Sequence, residues 1–450
     1  MNFESYSTEQ RSLIQFLSSH SKDPKFQNFP YTEERPDIFK GDLQAMPTFV
    51  NENQVTHIAE ISQELTRIIT QIPEKIFNNN LSLMYQNWLA DNEIPEELAE
   101  LILLKNLENT NNFVCRGDFI LTDKGFKCLE YNVASNIGGW QAEPARTMYL
   151  QQEVFRNFID QEEIIVSVKN PLLEMYKHVI NIVPSHISRF NGELNLAVFY
   201  DPKDSWNKYG HVYSERIYKR CLSQSGLDYS GKIVFCTPDD LNFREGCVFV
   251  GNLRIHALID QGLICPIQVY LSQSDGFILL FNGLAGHLLG KKSNLGMLKE
   301  PENMRKFSSH EQQIIDTLIP ETHRINSSLM PEFKSQFANG KDNWVLKQVD
   351  GSSGQGVWVG KETELDEWVA LLNKAFDLNT YIIQEYVESI PITYRNNQGE
   401  YTDHNVIWGF FISGNKYSGG FLRVSEKGNR LVINSFTGAR ESYMLEIESN

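Results

Sequence analysis

Apolar residues recur at helical spacing in the first quarter of the chain. The stretch 55–76 (VTHIAEISQELTRIITQIPEKI) carries them on one face up to its proline. The stretch 95–107 (PEELAELILLKNL) repeats the pattern, with a proline and acids in its first turn. Residues 1–112 therefore read as a helical region without a chemical motif. At Phe113 the period changes to two. FVCRGDFIL and FKCLEYN flank the segment TDKG, which predicts a β-hairpin. A helical pattern returns over 143–176. Three short apolar runs follow at 194–200 (LNLAVFY), 232–236 (KIVFC) and 246–251 (GCVFVG), with helical residues 214–223 between the first two. Strands alternating with helices at this spacing predict a small parallel α/β unit. From Pro301 onward helix and strand alternate again, around a glycine-rich turn at 351–356. The class is α/β (α+β), divided at 1–112, 113–193, 194–290 and 291–450.

Composition narrows the function classes. The chain has 450 residues, 41% hydrophobic and 12% aromatic, enough to build sizeable cores. Its 41 basic and 57 acidic residues give a net charge of −16, a poor basis for holding nucleic acid or an anionic membrane. The six cysteines are scattered, without CxxC or His/Cys metal spacing, and most sit in apolar runs as buried thiols do. No leader-like segment opens the sequence, and no apolar run reaches the ~20 residues of a membrane span. The expectation is a cytoplasmic protein, with a homodimer as the commonest soluble assembly.

The hairpin carries the first candidate chemistry. If Asp123-Lys124-Gly125 forms a three-residue turn with Gly125 left-handed, residue 122 faces 126. Asp118 then faces Glu130, Arg116 faces Asn132, and all four project from one side. Facing carboxylates repel. A divalent cation between them would remove the repulsion, and two carboxylates with an amide oxygen are hard ligands suited to Mg²⁺. Arg116 beside them suits a phosphate or acyl phosphate. A solvated polar face is the bland alternative.

A second constellation is WVLKQVDGSSGQGVWVG, residues 344–360. A strand carries Lys347. A turn with Gly351, Ser352, Ser353, Gly354, Gln355 and Gly356 leads into another strand, where backbone N–H groups and the lysine can meet phosphates. No Lys-Ser/Thr follows the last glycine, so this is not a Walker A loop. Further on, the apolar run in YIIQEYV ends at Gln384-Glu385, as a strand entering a hinge does. Lys292 lies in a short basic cluster before an apolar helical stretch, and Arg423 lies on the run GGFLRVS. A glycine-rich hairpin turn and solvated basic residues would account for each piece taken alone.

The order of the pieces is more specific. RGDF…LEYN, NGLAGHLLGKKSNLGML, IPET, VLKQVDGSSGQGV, YIIQEYV and GGFLRVS together resemble the circularly permuted ATP-grasp proteins, and most of all the synthetase part of glutathionylspermidine synthase. The similarity runs from about Phe113 to Arg440. In ordinary ATP-grasp enzymes the glutamate–asparagine metal pair comes last, whereas Glu130 and Asn132 come first here. The resemblance implies an ATP-grasp fold in permuted order, with Asp118, Glu130 and Asn132 as Mg²⁺ ligands and Arg116 on the reacting phosphoryl group. It implies ATP contacts at Lys292, Lys347, the 351–356 loop, Gln384, Glu385, Val387 and, less directly, Arg423. After Asn132 the run VASNIGGWQAEP departs from the family pattern, so glutathione and spermidine do not carry over. Ser135, Asn136, Gly138 and Gly139 are candidate substrate contacts at that position.

The function expected is an ATP-dependent carboxylate–amine ligase working through an acyl phosphate and releasing ADP and phosphate. Its substrates would be a small-molecule or peptide carboxylate and an amine. A thiol or hydroxyl acceptor, a phosphotransferase, and a nucleotide-binding partner protein without catalysis are the alternatives.

Overall fold

The computed structural model describes residues 8–19, 42–84, 86, 112–188, 190–203, 207–263, 265–325, 331–351, 354–395, 400–435 and 438–448. The segment 95–107 lies outside them. In chain order the first strands are β1 (Thr48–Asn51), β2 (Val114–Thr122), β3 (Gly125–Asn132), β4 (Ile165–Ser167), β5 (Leu196–Phe199), β6 (Ile233–Cys236), β7 (Leu241–Arg244), β8 (Cys247–Val250) and β9 (Leu253–Ile255). They are followed by β10 (Ala257–Ile259), β11 (Leu279–Phe281), β12 (Thr322–Ile325), β13 (Trp344–Gln348), β14 (Val357–Val359), β15 (Tyr381–Glu385), β16 (Ile392–Arg395), β17 (Tyr401–Ser413), β18 (Lys416–Glu426) and β19 (Arg440–Glu448).

The hairpin β2–β3 is the edge of an eight-stranded sheet ordered β1-β19-β18-β17-β2-β3, with β16 on β17 and β4 on β19. Its neighbours are thus the last long strands of the chain, more than 270 positions away in sequence. The N-terminal region also joins this sheet, because β1 pairs parallel with β19. The helix Glu52–Thr70 packs against the same sheet. It starts at a capping box, Asn51 with Gln54, and buries Ile58, Ser62, Leu65, Thr66, Ile68 and Ile69. Strand alternation sends Tyr131 to this helix, where its hydroxyl bonds to Thr66 Oγ1. Glu130 and Asn132 therefore point to the opposite side.

The helical pattern at 143–176 is broken into several elements. The helices Ala142–Gln151 and Glu153–Gln161 are followed by β4 and by the helix Pro171–His186. Asn170 caps that last helix through the Leu172 and Leu173 amides, with Pro171 at its first position, so a new helix nucleates there instead of continuing the old one. The apolar runs at 196–199 and 233–236 do enter a parallel sheet, ordered β11-β10-β5-β6. The third run does not. Strand β8 belongs to a separate antiparallel sheet, β7-β8-β9, and its expected place is taken by β10 and β11. Hairpin turns join β7, β8 and β9 directly, and so short a connection permits only antiparallel pairing.

The fourth sheet, antiparallel and ordered β12-β15-β13-β14, carries the glycine turn. Leu346 and Ile383 face the helix Leu365–Leu378, packing with Trp368, Leu372 and Ala375. Val345, Lys347 and Gln384 occupy alternate positions on the other side and line a cavity shared with the eight-stranded sheet.

Candidate active site

The facing of Asp118 and Glu130 arises from two departures that offset each other. Thr122 pairs with Gly125, so the turn holds two residues, Asp123 and Lys124, where the sequence suggested three. Gly125 takes a φ of +98°. The pairing Phe119–Cys128 is then followed by Asp118–Glu130, leaving Leu129 as the extra residue of a β-bulge. The bulge restores the spacing that the shorter turn removes, and Arg116 pairs with Asn132. It also sets Leu129's carbonyl within reach of the neighbouring sheet, where Lys347 Nζ donates to it at 2.9 Å.

The facing carboxylates are already compensated by the chain's own cations. Arg116 grips Asp118 through Nε at 2.6 Å and Nη2 at 2.9 Å, and Arg423 Nη2 reaches the second oxygen at 2.5 Å. Lys292 Nζ lies 3.0 Å from Glu130 Oε1 and also donates to the Gly351 carbonyl. Repulsion between facing carboxylates would by itself raise a carboxyl pKa. Instead, although burial opposes ionisation of Asp118, the two guanidiniums outweigh it and hold its pKa below the usual range. Both guanidiniums stand over the Phe421 ring, Arg116 at 5.0 Å and Arg423 at 5.9 Å from its centroid. Gly409 makes room for that ring, since a Cβ there would lie 2.5 Å from it.

Across the cavity, Lys347 Nζ also donates to Gln384 Oε1 at 2.6 Å, and Gln384 Nε2 donates to Thr322 Oγ1 at 3.0 Å. Burial pushes the Lys347 ammonium down to about 8, opposed by Glu130 and reinforced by Lys292. Beyond Gln384, the Glu385 and Tyr386 amides bond to the Glu321 and Asn343 carbonyls, fixing the chain where it leaves β15.

A single cavity of about 590 Å³ joins these groups. It is lined by Arg116, Asp118, Glu130, Asn132, Ser135, Asn136, Gly138, Gly139, Lys292, Lys347, Gly351, Gly354, Gln355, Gln384, Glu385, Val387 and Arg423. Gly356 is not part of the lining; its φ of +71° turns the chain beside Gln348. Ser352 and Ser353 lie outside the described residues. The lining also includes Gln141, Gln261, Asn405, Phe421 and Glu441, none of which the sequence singled out. Asn405, Arg423 and Glu441 share one sheet face, as alternation on β17, β18 and β19 requires, but no local motif marks them. Ile120, Val345, Val357, Val359 and Ile407 supply an apolar part of the same lining, which also includes Glu385, Tyr386 and Val387. Arg423 Nε is buried and has no hydrogen-bond partner among the described residues.

No protein-family model matches the chain, and no curated protein matches it significantly. Solved structures do. A glutathione synthetase-like effector (GSS30) from Globodera pallida, in apo form, aligns over 97% of this chain and 97% of its own, with 12% identity and a TM-score of 0.56. A structure from Methylobacillus flagellatus KT bearing the name gamma-glutamylcysteine synthetase aligns over 86% of this chain and 87% of its own, with 13% identity and a TM-score of 0.39, too low to carry weight. The chain is a mixed α/β protein that shares its fold, along nearly its whole length, with a glutathione synthetase-like protein.

Proposed function

We propose that this chain is an ATP-dependent ligase of the ATP-grasp type, activating a carboxylate as an acyl phosphate and joining it to an amine. The observation that carries the reading is the convergence of Arg116, Arg423, Lys292 and Lys347 in one cavity whose lining also has an apolar part. These four cations share the lining with the carboxylates Asp118, Glu130, Glu385 and Glu441, so the site suits phosphates that arrive together with a divalent ion. The buried Arg423 Nε adds a donor still to be satisfied.

The residues fit Mg²⁺-ATP. The apolar part of the lining suits a purine, and Glu385 in the same lining suits a ribose hydroxyl. Glu130, Asn132 and Asp118 offer hard oxygens, which would hold Mg²⁺ with phosphate oxygens completing the shell. Among the described residues no three His, Cys, Asp or Glu side chains could hold a metal by themselves, so nucleotide and ion would bind together. Bound there, the ion would neutralise phosphate charge. Lys292 and Lys347 bind the phosphates by exchanging their present carbonyl and amide acceptors for charged oxygens. Arg116, immobilised by Asp118 and Phe421, stabilises the transferred phosphoryl group without reorganising. Gly354 lies against Val432 and Asn434, all three in the cavity lining, and this contact would help exclude water from the acyl phosphate. Positioning and charge neutralisation supply the catalysis, with no covalent nucleophile from the chain.

The test is a screen of amino acids, peptides and polyamines for nucleotide turnover. ADP with phosphate and an amide product is the expected result. AMP with pyrophosphate would replace the acyl phosphate by an adenylate and overturn this mechanism. A phosphorylated product would make the chain a phosphotransferase.

A further inference from the structure

The parallel sheet β11-β10-β5-β6 has a topological switch point between β10 and β5, because β6 lies on one side of β5 while β10 and then β11 lie on the other. In such sheets ligands bind beyond the carboxyl ends of the strands at that point. Here β10 ends in Asp260-Gln261-Gly262, and Gln261 lines the cavity together with Ser135 and Asn136. Ser135 Oγ donates to the Asp260 carbonyl at 2.8 Å, so the two segments are tied. The switch point and the phosphoryl-transfer site therefore open into one another.

A dyad of titratable groups stands at this junction. Asp260 is 2% exposed, and its Oδ1 accepts from the Gly262 and Leu263 amides, each at 3.0 Å. Its Oδ2 lies 3.0 Å from His287 Nε2. His287 belongs to the helix Gly283–Leu289, which follows β11, and lies five positions before Lys292. A Cβ built on Gly262 would fall 2.8 Å from Asn136 Nδ2 and 4.0 Å from His287 Cε1, so all three meet at the cavity edge. The histidine side chain is 41% exposed, against 1% for that of Asp260. A buried carboxylate fixed by two amides holds Nε2 in its protonated form and orients the ring. Nδ1 then carries the lone pair, and it has no hydrogen-bond partner among the described residues.

We infer that His287, positioned by Asp260, is the base that takes the proton from the acceptor, which binds between Asn136, Gln261 and His287 at this switch point. The inference rests on the ligase reading. The acceptor nitrogen forms its bond to the acyl carbon, and the carbon–oxygen bond to phosphate breaks with its electron pair leaving on phosphate. The acceptor class is a primary amine that arrives as an ammonium ion: His287 Nδ1 takes the proton that frees its lone pair, and the second proton, lost as the amide forms, leaves on the departing phosphate. An acceptor that needs no base bypasses the dyad.

Hydroxylamine supplies that contrast, since it is uncharged at neutral pH and traps acyl phosphates directly as hydroxamates. The full chain is first assayed for ADP release with hydroxylamine over a panel of amino acid and peptide carboxylates. The active carboxylate is then given amino acids and polyamines as acceptors. His287→Gln is expected to keep hydroxylamine-dependent ADP release within about threefold. Amine-dependent turnover should fall on the order of 100- to 10,000-fold. Added imidazole should restore part of it in His287→Ala, which a purely structural role would not allow. A His287→Gln variant that retains both activities, or loses both, overturns the role of the dyad alone. Wild-type chain that releases no ADP with any carboxylate and hydroxylamine overturns the ligase reading, and the dyad's role with it.

Discussion

Lys347 offers the sharpest test of the nucleotide site, because its charge is poised. Burial sets its pKa near 8 in the ligand-free protein, against an ordinary 10.5. Phosphate oxygens favour the ammonium form, so binding pulls a proton onto the side chain and weakens as pH rises through 8. With that pKa, the protonated fraction falls from roughly three-quarters at pH 7.5 to about 3% at pH 9.5. Affinity for Mg²⁺-ADP, followed by calorimetry, should drop roughly 25-fold across that interval. Lys347→Met should bind about 10- to 100-fold more weakly at pH 7.5, the worth of a charged hydrogen bond at about 1.5–3 kcal/mol, and its affinity should be flat with pH. Nearby thiols do not interfere, since burial pushes Cys115 up to about 12 and Cys128 higher still. The same lowered pKa has a stability consequence of defined sign. The unfolded chain holds the Lys347 proton more tightly, so the wild type should gain stability between pH 8 and 10.5 relative to Lys347→Met, by up to about 3 kcal/mol. Wild-type affinity that is flat from pH 7.5 to 9.5, or an equal slope in the variant, would refute the placement of this lysine on the phosphates.

Glu130→Gln should reduce turnover at least about 100-fold while leaving the chain folded. Because Lys292 loses a charged partner 3.0 Å away, stability without nucleotide should fall slightly, by about 1 kcal/mol, read as a lower melting point. A rise in melting point would instead show that the repulsion outweighs the ion pair. Asp118→Asn should cost about 3–5 kcal/mol in urea unfolding, since it leaves two buried guanidiniums without their counter-charge. The lowered Asp118 pKa acts in the same direction. Its contribution is fully present above its ordinary value of 3.8 and is lost as pH falls through the lower folded one. An unchanged urea midpoint in Asp118→Asn would mean that the triad is not formed in solution.

Much of the architecture was legible in local pattern. The period of two at 113–132 marks the hairpin, and the run at 344–360 marks β13, the glycine turn and β14. Both patterns survive because a half-buried strand must alternate and a tight turn needs glycine. Breaks hidden inside a continuous pattern were not legible. The helical spacing at 143–176 conceals three boundaries, and the apolar content of 246–251 gives no sign of parallel or antiparallel partners, which depend on where the following chain can return.

The side chains of the candidate site were largely readable one by one, and what they do to each other was not. Alternation fixes that Arg116 and Asp118 share a face and that Glu130 and Asn132 do, while the bulge at Leu129 decides that the two pairs face each other. The turn length and the bulge at Leu129 were settled by contact with another sheet, to which Leu129 lends a carbonyl for Lys347. The charge state of Asp118 is held by Arg116 together with Arg423, a residue 305 positions away that β18 brings to its carboxylate. Glu441, Gln261 and the Asp260–His287 pair belong to strand ends and helices that meet only when the sheets assemble. Local sequence sets the period of a strand and the φ of a turn, because those depend on neighbours along the chain. Electrostatics and hydrogen bonding depend on neighbours in space, and for this protein only the packing of the sheets around one cavity supplies them.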